Sequence, residues 1–192
     1  MDFTLFYGEK MKKKILLSLA SLALISNLNA YELDGNLDIK WTGFKLASKV
    51  GVSGTFNDIK LDILKNEDLA DFLKSAKVTI DSKSLESKDE GRNFNITSTL
   101  FSLASAKTIT GTISSVDETE QTLVLDLVLN GVQKSIPMKF EDKDGNIVAN
   151  GKIDVLDFDL AKSYQAFVLK CAELHENVSY SDVDIEFTLP YK

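Results

Sequence analysis

Apolar side chains recur at every second position along most of the chain, which is the spacing of a β-strand with one buried face. Leucines occupy alternate positions over 123–129, and the same alternation marks 136–140 and 183–189. The pattern predicts about eight strands, near 36–46, 49–64, 77–82, 107–116, 121–130, 134–142, 146–156 and 183–190. Turn signals at Asn130-Gly131, Asp144-Gly145 and Asn150-Gly151 favour hairpins. The order of short strands predicts one meander that can close on itself.

Two stretches have helical spacing instead. After Ser87 and Glu90, which form a capping-box pattern, apolar residues follow over 94–103. A second apolar stripe covers 164–175, and a shorter helix is predicted near 67–75. We therefore expect an all-β protein, an antiparallel barrel of roughly eight strands with two or three short helices lying against it or capping its mouth.

The first thirty residues differ from the rest of the chain. Three lysines at 12–14, an apolar run over 15–25 and a small residue at Ala30 are typical of a secretory signal peptide. The apolar run is shorter than the roughly 20 residues that span a bilayer as a helix. We expect residues 1–30 to be a cleaved signal peptide, with Met11 as an alternative start, and residues 31–192 to form the barrel, located in the periplasm.

Charge and cysteine content exclude several classes of function. The first thirty residues hold four lysines and two acids, so residues 31–192 hold 18 basic and 27 acidic residues, a formal charge of −9. An acidic surface repels phosphates, so nucleic acid is not an expected partner. Cys171 is the single cysteine, which excludes an intramolecular disulfide.

Candidate catalytic and metal-binding residues are few. His175 is the only histidine and lies one helical turn after Cys171 on an apolar stripe, where inert packing is the expected role. Two such ligands are fewer than the three or four of a zinc site. The acids around Gly145 lack the glutamate at the twelfth position of a calcium loop. No catalytic residue, cofactor or metal is predicted.

Several segments resemble the YceI-like family of proteins. "LVLNGVQKSIPMKF" (127–140) is similar to the family's strand, Gly-Val turn and strand. "KWTGFK" with "VSGTF", "VTIDSKSLESKDEGRNFNITSTLF" and "VDIEFTL" resemble further segments in the family's order, over nearly all of 31–192. The chain departs from the family in having Asn130 where many members have histidine, and in lacking early histidines.

The resemblance implies a lipocalin-like barrel that holds a polyisoprenoid or similar long amphiphile. By that resemblance we expect a periplasmic carrier of an isoprenoid quinone or related lipid, with at most transient membrane contact and a homodimer left open. The residues expected to line the tunnel are Trp41, Phe56, Leu125, Leu127, Met138, Phe140 and Phe158, with Phe94 and Phe101 at its mouth.

The only arginine and the only tryptophan have two interpretations each. The planar fork of Arg92 suits a phosphate, a quinone oxygen or a carboxylate at the mouth, although a surface pair with Asp89 or Glu90 is the interpretation that the sequence favours. Trp41 suits either stacking on a ligand or plugging the closed end. Two other functions remain open: an enzyme of lipid or quinone metabolism using the same cavity, and an interaction module whose barrel is fully packed.

Overall fold

The computed structural model describes residues 30–104 and 106–192. The predicted signal peptide lies outside these residues, except for Ala30. Within these described residues there are ten strands: β1 (Asp38–Lys45), β2 (Val50–Phe56), β3 (Ile59–Asp62), β4 (Lys77–Asp81), β5 (Leu85–Glu86), β6 (Thr108–Asp117), β7 (Thr122–Leu129), β8 (Val132–Lys143), β9 (Asn146–Asp154) and β10 (Ser179–Pro190).

All strand pairs are antiparallel, in the order β3-β4-β6-β7-β8-β9-β10-β1-β2-β5. The order begins with the pair β3-β4 and ends with the pair β2-β5. Since β2 continues into β3 and β4 continues into β5 along the chain, the two ends of the sheet meet. Hydrogen bonds continue across the bend: the Asn57 amide donates to the Ser84 carbonyl at 2.9 Å, and the Asp81 amide to the Asp58 carbonyl at 3.1 Å. The sheet therefore curls into a lipocalin-like barrel with eight strand positions, as the alternation predicts, although bends divide two of them.

Three short α-helices accompany the sheet: α1 (Leu69–Lys74), α2 (Glu90–Ile96) and α3 (Ala161–Lys170). The side chain of Asp89 caps α2 by accepting from the Arg92 amide at 2.9 Å. The predicted capping box at Ser87 is therefore wrong, because the Ser87 hydroxyl bonds instead to the Asn93 side chain at 2.6 Å. Among the described residues, no helix is long and apolar enough to cross a membrane.

The hairpin turns explain part of the register. Asn130 and Gly131 have φ of 53° and 75°, and Asp144 and Gly145 have 52° and 74°, as type I′ turns require. Asn150-Gly151, in contrast, is not a turn and lies inside β9. Gly151 is needed there for space: a Cβ atom would lie 2.8 Å from Cγ of Met138.

Helix α1 and the start of the described chain close one end of the barrel. Phe72 and Leu73 of α1 are fully buried. The ring of Tyr31 stacks on Phe72 with centroids 6.0 Å apart and also meets Tyr191 at 5.2 Å. At the opposite end, α2 and α3 pack together beside the last residues of β1 and the first residues of β10.

Candidate ligand-binding cavity

A cavity of about 540 Å³ lies inside the barrel. Its walls come from inward-facing residues of most strands, including Ile39 and Trp41 of β1, Val183, Ile185 and Phe187 of β10, and Leu37 just before β1. These positions alternate with outward-facing charges such as Lys40 and Glu186, which pair with each other at 3.6 Å. The volume falls within the range of about 300–1,000 Å³ found for small-molecule sites.

The wall extends from the helices to the closed end. Tyr164, Phe167 and His175 line it on the helical side, whereas Leu61, Ala76 and Leu189 line it near α1. An apolar space that reaches from the helical end to the closed end suits a hydrocarbon chain better than a compact polar molecule.

Seven of the ten predicted ligand-contact residues line this cavity: Trp41, Phe56, Arg92, Phe101, Leu125, Leu127 and Met138. Trp41 lies in the wall rather than at the closed end, and its Nε1 donates to the Thr55 carbonyl at 3.3 Å. Arg92 also has the predicted surface partner, since its Nη2 lies 3.4 Å from Oδ2 of Asp89.

The other three predicted contacts lie elsewhere. Phe140 and Phe158 are buried, with 3% and 0% of their surfaces exposed, and do not line the cavity. Phe94 points outward from α2 and is 62% exposed, with Nζ of Lys170 5.4 Å from its ring centroid. Alternation does not separate Phe140 from the lining residues, because filled and empty parts of a barrel interior require the same apolar face. Phe94 and Phe158 lie in helical segments, to which strand alternation does not apply.

Inward-facing glycines are a signal of interior space that the predictions did not use. Gly43, Gly54, Gly111 and Gly151 all occupy inner-face positions of their strands. At Gly54 and Gly151 the room is taken by Trp41 and Met138, whereas nothing lies within 4 Å of a Cβ placed at Gly43. Gly43 therefore marks open space in the wall of the cavity.

Polar side chains on the wall gather at the helical end. Lys45 is the last residue of β1. Asp89 caps α2, Arg92 lies in the first turn of α2, and His175 lies in the turn after α3. Nδ1 of His175 lies 2.7 Å from the Ser179 hydroxyl, which fixes the ring beside the first residues of β10. Of these four residues only Arg92 was predicted to contact the ligand, from its planar guanidinium group. Strand alternation could not group the four, because they come from separate segments.

The electrostatics of this end do not suit nucleophilic catalysis by the cysteine. Burial raises the pKa of the Cys171 thiol, so the thiolate is disfavoured at neutral pH. Burial, followed by the charges of Lys45 and Arg92, lowers the pKa of His175. Within residues 30–104 and 106–192, no three histidine, cysteine or acidic side chains gather as a metal would need.

The fold and the cavity together define a class of protein: a lipocalin-like antiparallel barrel whose interior is open to an apolar ligand. The chain matches the family model of the YceI-like domain over residues 31–190, and it therefore belongs to the YceI-like family. This confirms the family indicated by the sequence segments.

Solved structures share the fold. A polyisoprenoid binding domain from Saccharophagus degradans, implicated in plant cell wall breakdown, is 21% identical with a TM-score of 0.59, covering 85% of this chain and 98% of its own. BcnA from Burkholderia cenocepacia is 16% identical with a TM-score of 0.58, covering 82% and 98%. A YCEI protein from Campylobacter jejuni is 17% identical with a TM-score of 0.52, covering 72% and 84%. No curated protein matches the chain.

Proposed function

We propose that the protein binds and carries one long-chain amphiphile, a polyisoprenoid lipid such as an isoprenoid quinone, with the apolar chain inside the barrel. The observation that carries the proposal is the cavity of about 540 Å³, whose wall is apolar over most of its length. The naming of a structural relative as a polyisoprenoid binding domain supports the same ligand class.

The volume limits the length of the bound chain. A methylene group is similar in size to a water molecule, whose share of liquid volume is about 30 Å³, so the cavity holds roughly 18 such groups. Each buried methylene contributes about 0.8 kcal/mol before the costs of association and ordering. A chain of this size therefore supplies enough energy for binding without any headgroup contact.

The two rival functions fit these observations less well. An interaction module with a filled barrel would not have an open interior at Gly43. An enzyme using the cavity would act through Arg92 or a carboxylate, and on the wall Arg92 and Asp89 pair with each other at 3.4 Å, while burial disfavours the thiolate of Cys171.

The proposed location is the periplasm, where a carrier would move an insoluble chain between membranes. The proposal rests on the lysines at 12–14 and the apolar run after them. The intact mass of protein recovered from its own cells tests this: a species that begins near Tyr31 is expected, and one that retains residues 1–30 would contradict the proposal.

Organic extraction of the natively purified protein, followed by mass spectrometry, tests the ligand. We expect one long-chain species in a near-equimolar amount. The matched variant is Gly43→Leu, which places a side chain in open space. This variant should fold normally and lose most of the co-purifying lipid. Repeated recovery of empty native protein that also fails to take up isoprenoid chains in vitro would overturn the proposal.

A further inference from the structure

Two cationic side chains and one imidazole lie together on the wall of an otherwise apolar cavity. Lys45, Arg92 and His175 come from the end of β1, the first turn of α2 and the turn after α3. They all line the cavity at the helical end. The rest of the wall offers a hydrocarbon chain no charged partner, because Glu186 pairs with Lys40 on the outer face.

Lys45 is unusual among the lysines of this part of the barrel. Lys40, Lys49 and Lys152 each lie within 3.6 Å of a carboxylate oxygen. Lys45 is only half-buried and has no carboxylate within salt-bridge distance among the described residues. An ammonium group facing an apolar space is stabilised by an opposite charge, which a ligand can supply.

Arg92 keeps hydrogen-bonding capacity on the same wall. Its Nη1 donates to the Ser87 carbonyl at 3.2 Å, and its Nη2 lies 3.4 Å from Asp89. A guanidinium group carries five N–H donors in a planar fork, so donors remain beyond these two contacts. Asp89 also caps α2, which holds the arginine at a fixed place on the wall.

The pKa of His175 responds to the charged groups around the ring. The charged or titratable groups that line the cavity around it are Lys45, Asp89, Arg92, Cys171 and Tyr180. Burial and then the charges of Lys45 and Arg92 lower the pKa of His175. The ring is therefore uncharged at neutral pH, and the wall at this end has two positive charges and one negative charge.

We propose that Lys45, Arg92 and His175 form a subsite for an anionic headgroup, a phosphate or a carboxylate, on the amphiphile whose chain fills the barrel. This inference rests on the proposed function and adds the chemical class of the headgroup. A charged oxygen between the lysine and the arginine would accept hydrogen bonds from both, in a place partly shielded from water, where such bonds are strong. A neutral alcohol or quinone oxygen gains much less from the same two cations.

Ligands with the same chain and different headgroups test the proposal. The probes are a C20 prenyl alcohol, the matching carboxylic acid and the matching monophosphate, measured below their critical micelle concentrations. We expect the two anions to bind roughly 10- to 100-fold more tightly than the alcohol. The advantage should shrink as the salt concentration rises, because the subsite is near the surface. Comparison of the carboxylate with the phosphate shows which anion the subsite prefers.

Substitutions of the two cations test whether the tighter binding of the anions depends on the subsite. Lys45→Met and Arg92→Met should each reduce the affinity for the anions roughly tenfold and leave that for the alcohol unchanged. The alcohol also reports whether each variant has folded. Lys40→Met is the matched control, because it removes a lysine from the opposite face of the same strand and should change neither affinity.

The single histidine gives a second readout by NMR titration of untagged protein. Binding of an anion should raise the pKa of His175, whereas the alcohol should not, since only the anion offsets the field of the two cations. Equal binding of alcohol and anions, with no change in the titration of His175, would overturn the subsite and leave the proposed function intact. Failure of all three chains to bind would overturn both.

Discussion

Trp41 lies directly against the backbone of Gly54, its partner on the neighbouring strand. A Cβ atom at Gly54 would clash with Cζ2 of Trp41 and with the Glu86 carbonyl oxygen. The indole Nε1 donates to the carbonyl of Thr55, the next residue. The absence of a side chain at Gly54 therefore fixes the orientation in which the largest aromatic residue joins the cavity wall.

This relationship predicts that Gly54→Ala is destabilising. The methyl group would clash with backbone as well as with the indole, so we expect a loss of roughly 1–3 kcal/mol in the free energy of unfolding. Chemical denaturation followed by tryptophan fluorescence measures both the stability and the environment of the only tryptophan. Gly43→Ala is the matched control on the paired strand, with nothing within 4 Å of its Cβ, and should change stability by less than about 0.5 kcal/mol. Equal effects of the two substitutions would contradict the packing described here.

The cavity volume predicts a limit on ligand length. Affinity for a series of prenyl or alkyl chains should rise by at most roughly fourfold per added carbon and level off near 18–20 carbons. Leu127→Trp should move this limit to shorter chains, because Leu127 lines the cavity and a larger ring would occupy part of it. The melting temperature of the ligand-free variant should remain close to that of the parent. A strongly destabilised variant, together with no dependence on length in the parent, would indicate a filled barrel.

The closed end of the barrel depends on α1. Phe72 is fully buried and stacks against Tyr31, so Phe72→Ala should cost about 3–5 kcal/mol in the free energy of unfolding. Leu64→Ala is the control, since Leu64 lies between β3 and α1 and is 71% exposed. This substitution should change the free energy of unfolding by less than about 0.5 kcal/mol. Urea denaturation measures the free energy of unfolding of both variants. A small effect at Phe72 would show that the end of the barrel does not contribute to the cooperative core.

Asp182 predicts part of the response to acid. Hydrogen bonds from Lys49, at 2.9 Å, and from Lys152, at 3.3 Å, lower the pKa of Asp182 below its usual 3.8. A group with a depressed folded pKa contributes stability above its unfolded pKa, and this stability is lost as the pH falls through the folded pKa. Asp182→Asn should therefore lower the melting temperature slightly at neutral pH and have no effect near pH 2.

The control for this prediction is Asp157→Asn, at an exposed turn residue without a salt bridge among the described residues. Its melting temperature should follow that of the parent across the same pH range. A difference between Asp182→Asn and the parent that persists undiminished at pH 2 would contradict the electrostatic explanation.

The sequence by itself determined the architecture. Alternation at period two requires a sheet with one apolar face, and eight such stretches, with Asn130-Gly131 and Asp144-Gly145 turns at two of the connections, favour an antiparallel meander. The stretch predicted at 49–64 became β2 and β3 because the strand bends around residues 57–58 without changing which face is buried. Family membership was also evident from the order of the segments.

The tertiary structure alone decided where the interior is empty and which polar groups meet at its mouth. Phe140 and Leu127 occupy equivalent alternating positions, yet Phe140 is buried and does not line the cavity, whereas Leu127 does. Lys45, Arg92 and His175 are separated by more than forty residues at each step and meet only when the barrel closes and α2 and α3 pack on one end. Local periodicity records which face of a strand avoids water, whereas an empty volume depends on how side chains from many strands fill the same space.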